Sequence, residues 1–271
     1  MDSPSNVAEK IRSVKVQGAK EIALYSLRYL RMFCKKYGFG LKFEVAAMIL
    51  ENARPTAVVL HNCLEILKKR RSLRTIDQLI KKLNEATNKI AKNGNKIIPD
   101  RARIMTHCHS GEALAVIKEA WKNKKKISVV ATVTEPLHQG IKTVEELAKL
   151  KIPITLINDN SVGYMMGSID LVIVGSDAMR KNGVVNKVGT SLLALSARKN
   201  GKPLYVVGNT LKIDRRKKFV IEERPASEVY KKIKGVRIRN PAFDITSWKL
   251  VSAIITERGI LNPMKIERML R

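Results

Sequence analysis

The spacing of apolar residues changes period once along this chain, near Gly94. Before that point, apolar positions recur three and four apart over residues 14–37, 43–50, 57–69 and 76–91. This rhythm gathers them on one face of a helix. Gly18, Gly38-Phe39-Gly40, Pro55 and the stretch around Ser72 punctuate the runs, as helix ends require. After Asn93-Gly94-Asn95 the pattern becomes short continuous apolar runs at 102–106, 127–132, 154–157, 171–174 and 204–207. They alternate with helical segments at 112–122, 144–150 and 190–199. Short apolar strands separated by helices predict βαβ units and a parallel sheet covered on both faces. The expected fold is α/β, with an N-terminal helical domain over 1–94 and a Rossmann-like parallel-sheet domain over 95–271. Apolar segments at 243–248 and 251–256 predict either further strands or a contact between subunits.

Two strand ends carry the candidate chemistry. Met105-Thr106-His107-Cys108-His109-Ser110-Gly111 sets a cysteine where the 102–106 strand meets a helix. Backbone N–H groups and the positive end of a helix dipole converge at such a junction. A thiol there is expected to ionise more readily than a free one. A second strand, over 169–174, runs into Gly175-Ser176-Asp177 and delivers a carboxylate to the same type of position. In open α/β sheets that edge is where ligands bind. A thiol with a carboxylate there makes an acid/base pair.

Three further segments point to the same edge. The segment from Asn182-Gly183 through Asn186-Lys187-Val188-Gly189-Thr190 reads as a polar loop entering a helix. Such a loop can donate to an oxyanion or phosphate, with Lys187 supplying charge; it can equally be only a turn and helix cap. Glu135 to Gly140, with His138 and Gln139, follows the strand ending at Thr132. Arg54, within Asn52-Ala53-Arg54-Pro55-Thr56, is a candidate phosphate fork.

Composition narrows the remaining possibilities. The net charge of +28 is spread in short lysine clusters, and only 5% of residues are aromatic. Without a stacking platform or a zinc-finger spacing, this predicts salt-sensitive, nonspecific polyanion adhesion rather than sequence-specific nucleic-acid binding. Cys34 and Cys63 fall in amphipathic helices and read as core filler. His61 and His138 stand alone in sequence, and zinc needs three or four ligands, so no metal site and no cofactor are expected. No apolar run approaches the about 18 residues of a membrane span, and the first residues lack a signal-peptide core. A cytoplasmic protein with no disulfide framework is expected.

Taken together, these residues resemble the aldose–ketose isomerase superfamily of methylthioribose-1-phosphate isomerase, archaeal ribose-1,5-bisphosphate isomerase and the initiation factor 2B regulatory subunits. The likeness runs from Val16-Gln17-Gly18-Ala19 through 52–56, the Cys108 segment, 175–190 and 209–212 to Asn240-Pro241-Ala242-Phe243-Asp244. The segments 106–110 and 240–244 look most like the ribose-1,5-bisphosphate branch. The resemblance implies Cys108 and Asp177 as catalytic residues. It implies Gly18, Arg54, Ser110, Gln139, Gly140, Asn186, Lys187 and Lys212 as substrate-binding, with Arg54 and Lys212 on a phosphate. The implied reaction converts a ribose 1-phosphate derivative, foremost ribose 1,5-bisphosphate, to the ribulose phosphate in AMP salvage by a homo-oligomer (dimer or hexamer). Methylthioribose-1-phosphate isomerisation and a noncatalytic regulatory role are the alternatives. Departures from the family pattern stand at Gln17, Gly111, Glu135 and Asn209, and the Asp177-to-Asn186 spacing is one residue short. The first three remove cations, and Glu135 is expected to repel a second phosphate.

Overall fold

In the computed structural model, residues 2–13, 15, 16 and 18–270 are described. Val14, where the first helical run was expected to start, and Gln17 lie outside them. Five helices come first: α1 (Pro4–Arg12), α2 (Ala19–Tyr37), α3 (Leu41–Ala53), α4 (Val58–Lys69) and α5 (Leu73–Asn95). The short α1 escapes the periodicity reading. It is set by Pro4 in its first turn and by Ser3, whose hydroxyl accepts from the Asn6 N–H. Helix α2 starts later than its apolar run because Gly18, at φ +85°, turns the chain into it. Leu27, Leu30, Phe43, Leu50, Leu64 and Ile76 are fully buried where these helices meet.

Among the described residues, seven strands form the main sheet: β1 (Arg103–Thr106), β2 (Ser128–Thr132), β3 (Ile154–Ile157), β4 (Leu171–Val174), β7 (Leu204–Val207), β9 (Ala253–Thr256) and β10 (Gly259–Leu261). Their order is β10-β9-β7-β4-β1-β2-β3. All neighbours pair in parallel except β10 on β9. The helices α6 (Gly111–Lys122), α7 (Gln139–Lys149), α8 (Val162–Met165), α9 (Thr190–Lys199) and α10 (Pro263–Met269) complete the α/β layer. Alternation along the strands sorts the core into two faces. Ile104, Val129 and Ile173 pack with Val116 and Ile117 of α6, and Met105, Val130 and Val172 pack with Leu193 of α9. The order reverses between β1 and β4, the only strand pair of this sheet flanked by crossovers in opposite directions. Such a reversal opens a crevice beyond the carboxyl ends of the two strands.

One expectation is corrected here and one pair of alternatives is resolved. The segment read as a polar loop is a hairpin, β5 (Ala178–Arg180) and β6 (Gly183–Lys187), to which β8 (Phe243–Thr246) adds a third strand. Of the two alternatives for the C-terminal apolar runs, strands are what forms: Ile254 and Ile255 are 0% exposed in β9, and Phe243 of β8 packs with Ala178 and Val185. Among the described residues no helix is long and apolar enough to cross a membrane.

The junction near Gly94 is a packing point rather than a linker. Gly94 lies in the last turn of α5 against Val116 of α6, where a Cβ would come within 2.5 Å of both valine methyl carbons. Val116 is fully buried and cannot swing into solvent. Gly94→Ala is therefore expected to destabilise by about 1–3 kcal/mol, overpacking exceeding the helix-propensity gain. Urea unfolding measures this, and an unchanged midpoint would show that Val116 yields freely.

Candidate active site

The chain leaves β1 through His107, a buried imidazole between two anchors. Its Nε2 lies 2.9 Å from the Val188 carbonyl and its Nδ1 lies 2.7 Å from Thr132 Oγ1. Nε2 must donate to the carbonyl, so a neutral ring accepts at Nδ1 from the threonine hydroxyl. Burial holds the His107 pKa below the usual histidine range, consistent with that neutral form. The next residue, Cys108, sits at φ +66°, a costly conformation outside glycine that must be held by its surroundings. Both of its peptide groups are held: its N–H donates to Thr134 Oγ1 at 2.9 Å, and its carbonyl accepts from Thr143 Oγ1 at 2.9 Å. Ser110 then caps α6, accepting from the Ala113 N–H.

Asp177 arrives from the adjacent strand. β4 ends at Val174, and Gly175 allows close approach to α6, since a Cβ there would lie 2.4 Å from Ser110 Oγ. The Asp177 N–H donates to the Val185 carbonyl of β6 at 2.8 Å. Two adjoining cavities, with empty volumes of about 680 and 1090 Å³ that include open solvent, meet at this edge. Both are lined by Gly18, Glu21, Cys108, His109, Gly111 and Asp177. Ser110, Asn186 and Lys212 line the first, and Arg54, Gln139 and Lys187 the second. The tertiary structure thus brings together nine of the ten residues singled out from the sequence, two as catalytic and seven as binding.

Gly140 is the exception. A Cβ there would stand 1.7 Å from the Thr132 carbonyl oxygen, so its role is to let α7 abut the end of β2. Gln139 beside it does face the cavity, and its buried Oε1 has no hydrogen-bond partner among the described residues. An unsatisfied acceptor at a cavity wall suits a ligand hydroxyl.

The electrostatics overturn the expectation of an easily ionised thiol. The Cys108 pKa is pushed up to about 11, chiefly by burial and further by the Asp177 carboxylate, against the His109 N–H and Lys187. The helix terminus does not offset that desolvation, so Cys108 is a thiol at neutral pH. Burial also raises the Asp177 pKa above the ordinary carboxylate range, although Lys212 and Arg54 oppose it. Cys34 and Cys63 are buried away from this edge, and desolvation pushes them to about 11 and about 12.

Sequence reasoning missed the carboxylates that hold the cations. Glu112, 3% exposed, accepts from Lys212 Nζ at 2.5 Å and from Asn209 Nδ2 at 2.7 Å. Glu222 accepts from Arg54 Nε at 3.1 Å and from Thr56 Oγ1 at 3.2 Å. A glutamate in a first helical turn, such as Glu112, carries no sequence signal that it is buried. Other expectations change as well. Glu135 lines neither cavity; its side chain is 60% exposed and pairs with His138 at 3.0 Å, so it is not placed to repel a ligand there. His138 is therefore not solitary, and neither is His61. His61 Nδ1 lies 2.5 Å from Glu51, with Glu65 close by and Lys68 donating to both glutamates.

Known proteins resemble this chain over nearly its whole length. The sequence pattern of the initiation factor 2 subunit family matches residues 15–263. A ribose 1,5-bisphosphate isomerase of Archaeoglobus fulgidus is 39% identical, covering 97% of this chain and 91% of that protein. A methylthioribose-1-phosphate isomerase of Pelotomaculum thermopropionicum is 36% identical, covering 96% and 83%. The crystal structure of translation initiation factor eIF-2B of Pyrococcus horikoshii OT3 superposes with a TM-score of 0.88 at 28% identity, covering all of both chains.

The state of the thiol can be read directly. Carbamidomethylation of Cys108, followed by mass spectrometry across pH, should be slow at pH 7 and rise to a midpoint near 11. A midpoint below about 8 would contradict the dominance of burial over the helix terminus.

Proposed function

This chain belongs to the initiation factor 2 subunit family, and we propose that within it the chain is an aldose–ketose isomerase acting in the cytoplasm on a ribose 1-phosphate derivative, foremost ribose 1,5-bisphosphate. One observation carries the reading. A protonated thiol and a carboxylate of raised pKa line the same two cavities at the point where the strand order reverses.

The chemistry needs such a pair. A phosphate on C1 keeps the sugar closed as a ring, so the ring oxygen must gain a proton as its bond to C1 breaks. Cys108, a thiol at neutral pH, is the acid for that step. The hydrogen on C2 then moves to C1, and the C2 hydroxyl loses its proton to leave the ketone. Asp177 is the base, strengthened by its raised pKa, and passing a proton to the cysteine closes the cycle. Lys187, which meets no carboxylate among the described residues, supplies the charge for the C1 phosphate, and Gln139 Oε1 accepts from a sugar hydroxyl. Methylthioribose 1-phosphate, whose C5 group is apolar, is the second reading; Leu137, Ala242 and Phe243 in the second cavity favour it.

The reading of a homo-oligomer, dimer or hexamer, is supported by a different surface than the sequence suggested. Leu192 and Leu195 of α9 are 62% and 54% exposed, an apolar strip suited to a second copy. Light scattering at micromolar concentration should return at least twice the chain mass, and a monomer would exclude this reading.

The catalytic assignment is tested by Cys108→Ser and Asp177→Asn, assayed with ribose 1,5-bisphosphate, methylthioribose 1-phosphate and ribose 1-phosphate. Each substitution should lower turnover at least about 100-fold. Because the folded pKa of Asp177 is raised, the unfolded chain ionises it more readily, and charge at this position costs stability above about pH 4. Asp177→Asn should therefore raise the melting temperature at pH 7 while abolishing turnover. No ketose from any of the three sugars with the native protein would favour the noncatalytic alternative instead.

A further inference from the structure

Asp244, on β8, lines neither cavity. Its carboxylate is directed instead at the turn that leads from β6 into α9. Oδ2 accepts from the Gly189 N–H at 2.8 Å and from the Ser191 N–H at 3.0 Å. Oδ1 is buried and has no hydrogen-bond partner among the described residues. Burying a carboxylate with half of its acceptors unused is costly, so the two bonds that it does form call for a reason.

The Gly189 N–H belongs to the same peptide unit as the Val188 carbonyl, and that carbonyl accepts from His107 Nε2 at 2.9 Å. The unit is trans. In a trans peptide the N–H and the C=O point to opposite sides of one rigid plane, so Asp244 and His107 grip the two ends of a single plate. The plate needs an anchor, because Gly189, at φ +102°, has the backbone freedom to let it turn over. Turned over, it would present an N–H to His107, and the imidazole would lose its acceptor. A carboxylate oxygen can take an N–H and cannot bond a carbonyl, so it holds the plate in one sense. It also polarises the plate and makes the Val188 carbonyl a stronger acceptor. His107 then keeps its proton on Nε2, and its Nδ1 takes the Thr132 hydroxyl.

We infer that Asp244 is a positioning residue for the reaction: through the Val188–Gly189 peptide it fixes the tautomer and place of His107, and through His107 the place of the Cys108 thiol. The sheet register serves the same end. Asp244 stands opposite Asn186 across β8 and β6, and the Val188 N–H donates to the Ala242 carbonyl at 3.1 Å. The strand that carries Asp244 thus also fixes the residue that begins the plate. The effect of Asp244 on turnover rests on the isomerase reading above; its effect on His107 and Cys108 does not.

The test compares native protein, Asp244→Asn and Asp244→Ala. The Asn side-chain carbonyl can accept from the same two N–H groups, and Ala can accept from none. Carbamidomethylation at pH 9, followed by mass spectrometry, reads Cys108, with Cys34 and Cys63 as internal references. In Asp244→Ala, Cys108 should be labelled at least about 10-fold faster than in the native protein, because a released thiol meets more water and ionises nearer the usual value of about 8.5. Cys34 and Cys63, buried in the helical half, should keep their native rates. A rise in all three would mean that Asp244 only stabilises the fold, and it would overturn the inference. Turnover should fall about 10- to 100-fold in kcat with a smaller change in KM, the scale of a slightly misplaced reacting group. Asp244→Asn should restore most of both. Imidazole 15N shifts give a measurement that needs no destabilised variant. His107 should be protonated at Nε2 alone in the native protein and in Asp244→Asn, and a proton on Nδ1 in either overturns the inference. Native Cys108 labelling in Asp244→Ala does so as well and leaves the isomerase reading standing. Faster labelling of Cys108 alone, in a protein that turns over none of the three sugars, supports the anchor and removes the isomerase reading.

Discussion

The neutral imidazole of His107 is the constraint on which the site depends. It ends β1, takes a hydrogen bond from Thr132 at the end of β2, and gives one to Val188 beyond β6. Three segments distant in sequence are thereby fixed at one point. Gly189 is part of the same fit, since a Cβ there would lie 3.0 Å from the ring. With His107 pinned, Cys108 has little freedom left, and its left-handed backbone is held by Thr134 and Thr143. The strain of about 1–3 kcal/mol usual for such a residue is tolerated because the hydrogen bonds around it leave no relaxed alternative.

Burial at this edge has opposite uses for different groups. It keeps the Cys108 proton on sulfur and makes Asp177 reluctant to hold charge, which is what a proton donor and a strong base require. The same burial would be ruinous for cations without partners, and Glu112 and Glu222 neutralise two of them. Lys187 is left without a carboxylate, and burial lowers its pKa. An incoming phosphate would supply the missing negative charge.

Topology explains why Cys108 and Asp177, so far apart in sequence, line the same cavities. β1 pairs with β4 directly, Ile104 opposite Leu171 and Met105 opposite Val172. Each strand releases its reactive residue within three positions of its end. The helices of the first half enclose the crevice from the other side, with Gly18 and Glu21 of the α2 region reaching both cavities and Arg54 the second. Leu211, just beyond β7, packs into the core formed by those helices, and Asn62 of α4 donates to the carbonyls of Leu211 and Ile213. The helical half thus closes the site as well as folding beside it.

Periodicity alone specified much of the framework. The strands at 154–157, 171–174 and 204–207 and the helix at 190–199 have the bounds that the apolar pattern predicts; β4 is buried throughout and apolar throughout, as a strand covered on both faces has to be, whereas β3 at the sheet edge leaves Thr155 and Leu156 exposed. Cys108 and Asp177 were legible for a similar reason: polar residues directly after such strands have few places to go but the sheet edge. The sequence pattern did not show that 183–187 forms a strand, since its neighbour in the hairpin, β5, is only three residues long and its longer partner β8 lies far along the chain. Nor could it show the protonation of Cys108, which depends on how much water the folded surroundings exclude. Which cations are free was equally hidden. Arg54, Lys187 and Lys212 look alike in sequence, and only the fold decides which of them meets a carboxylate.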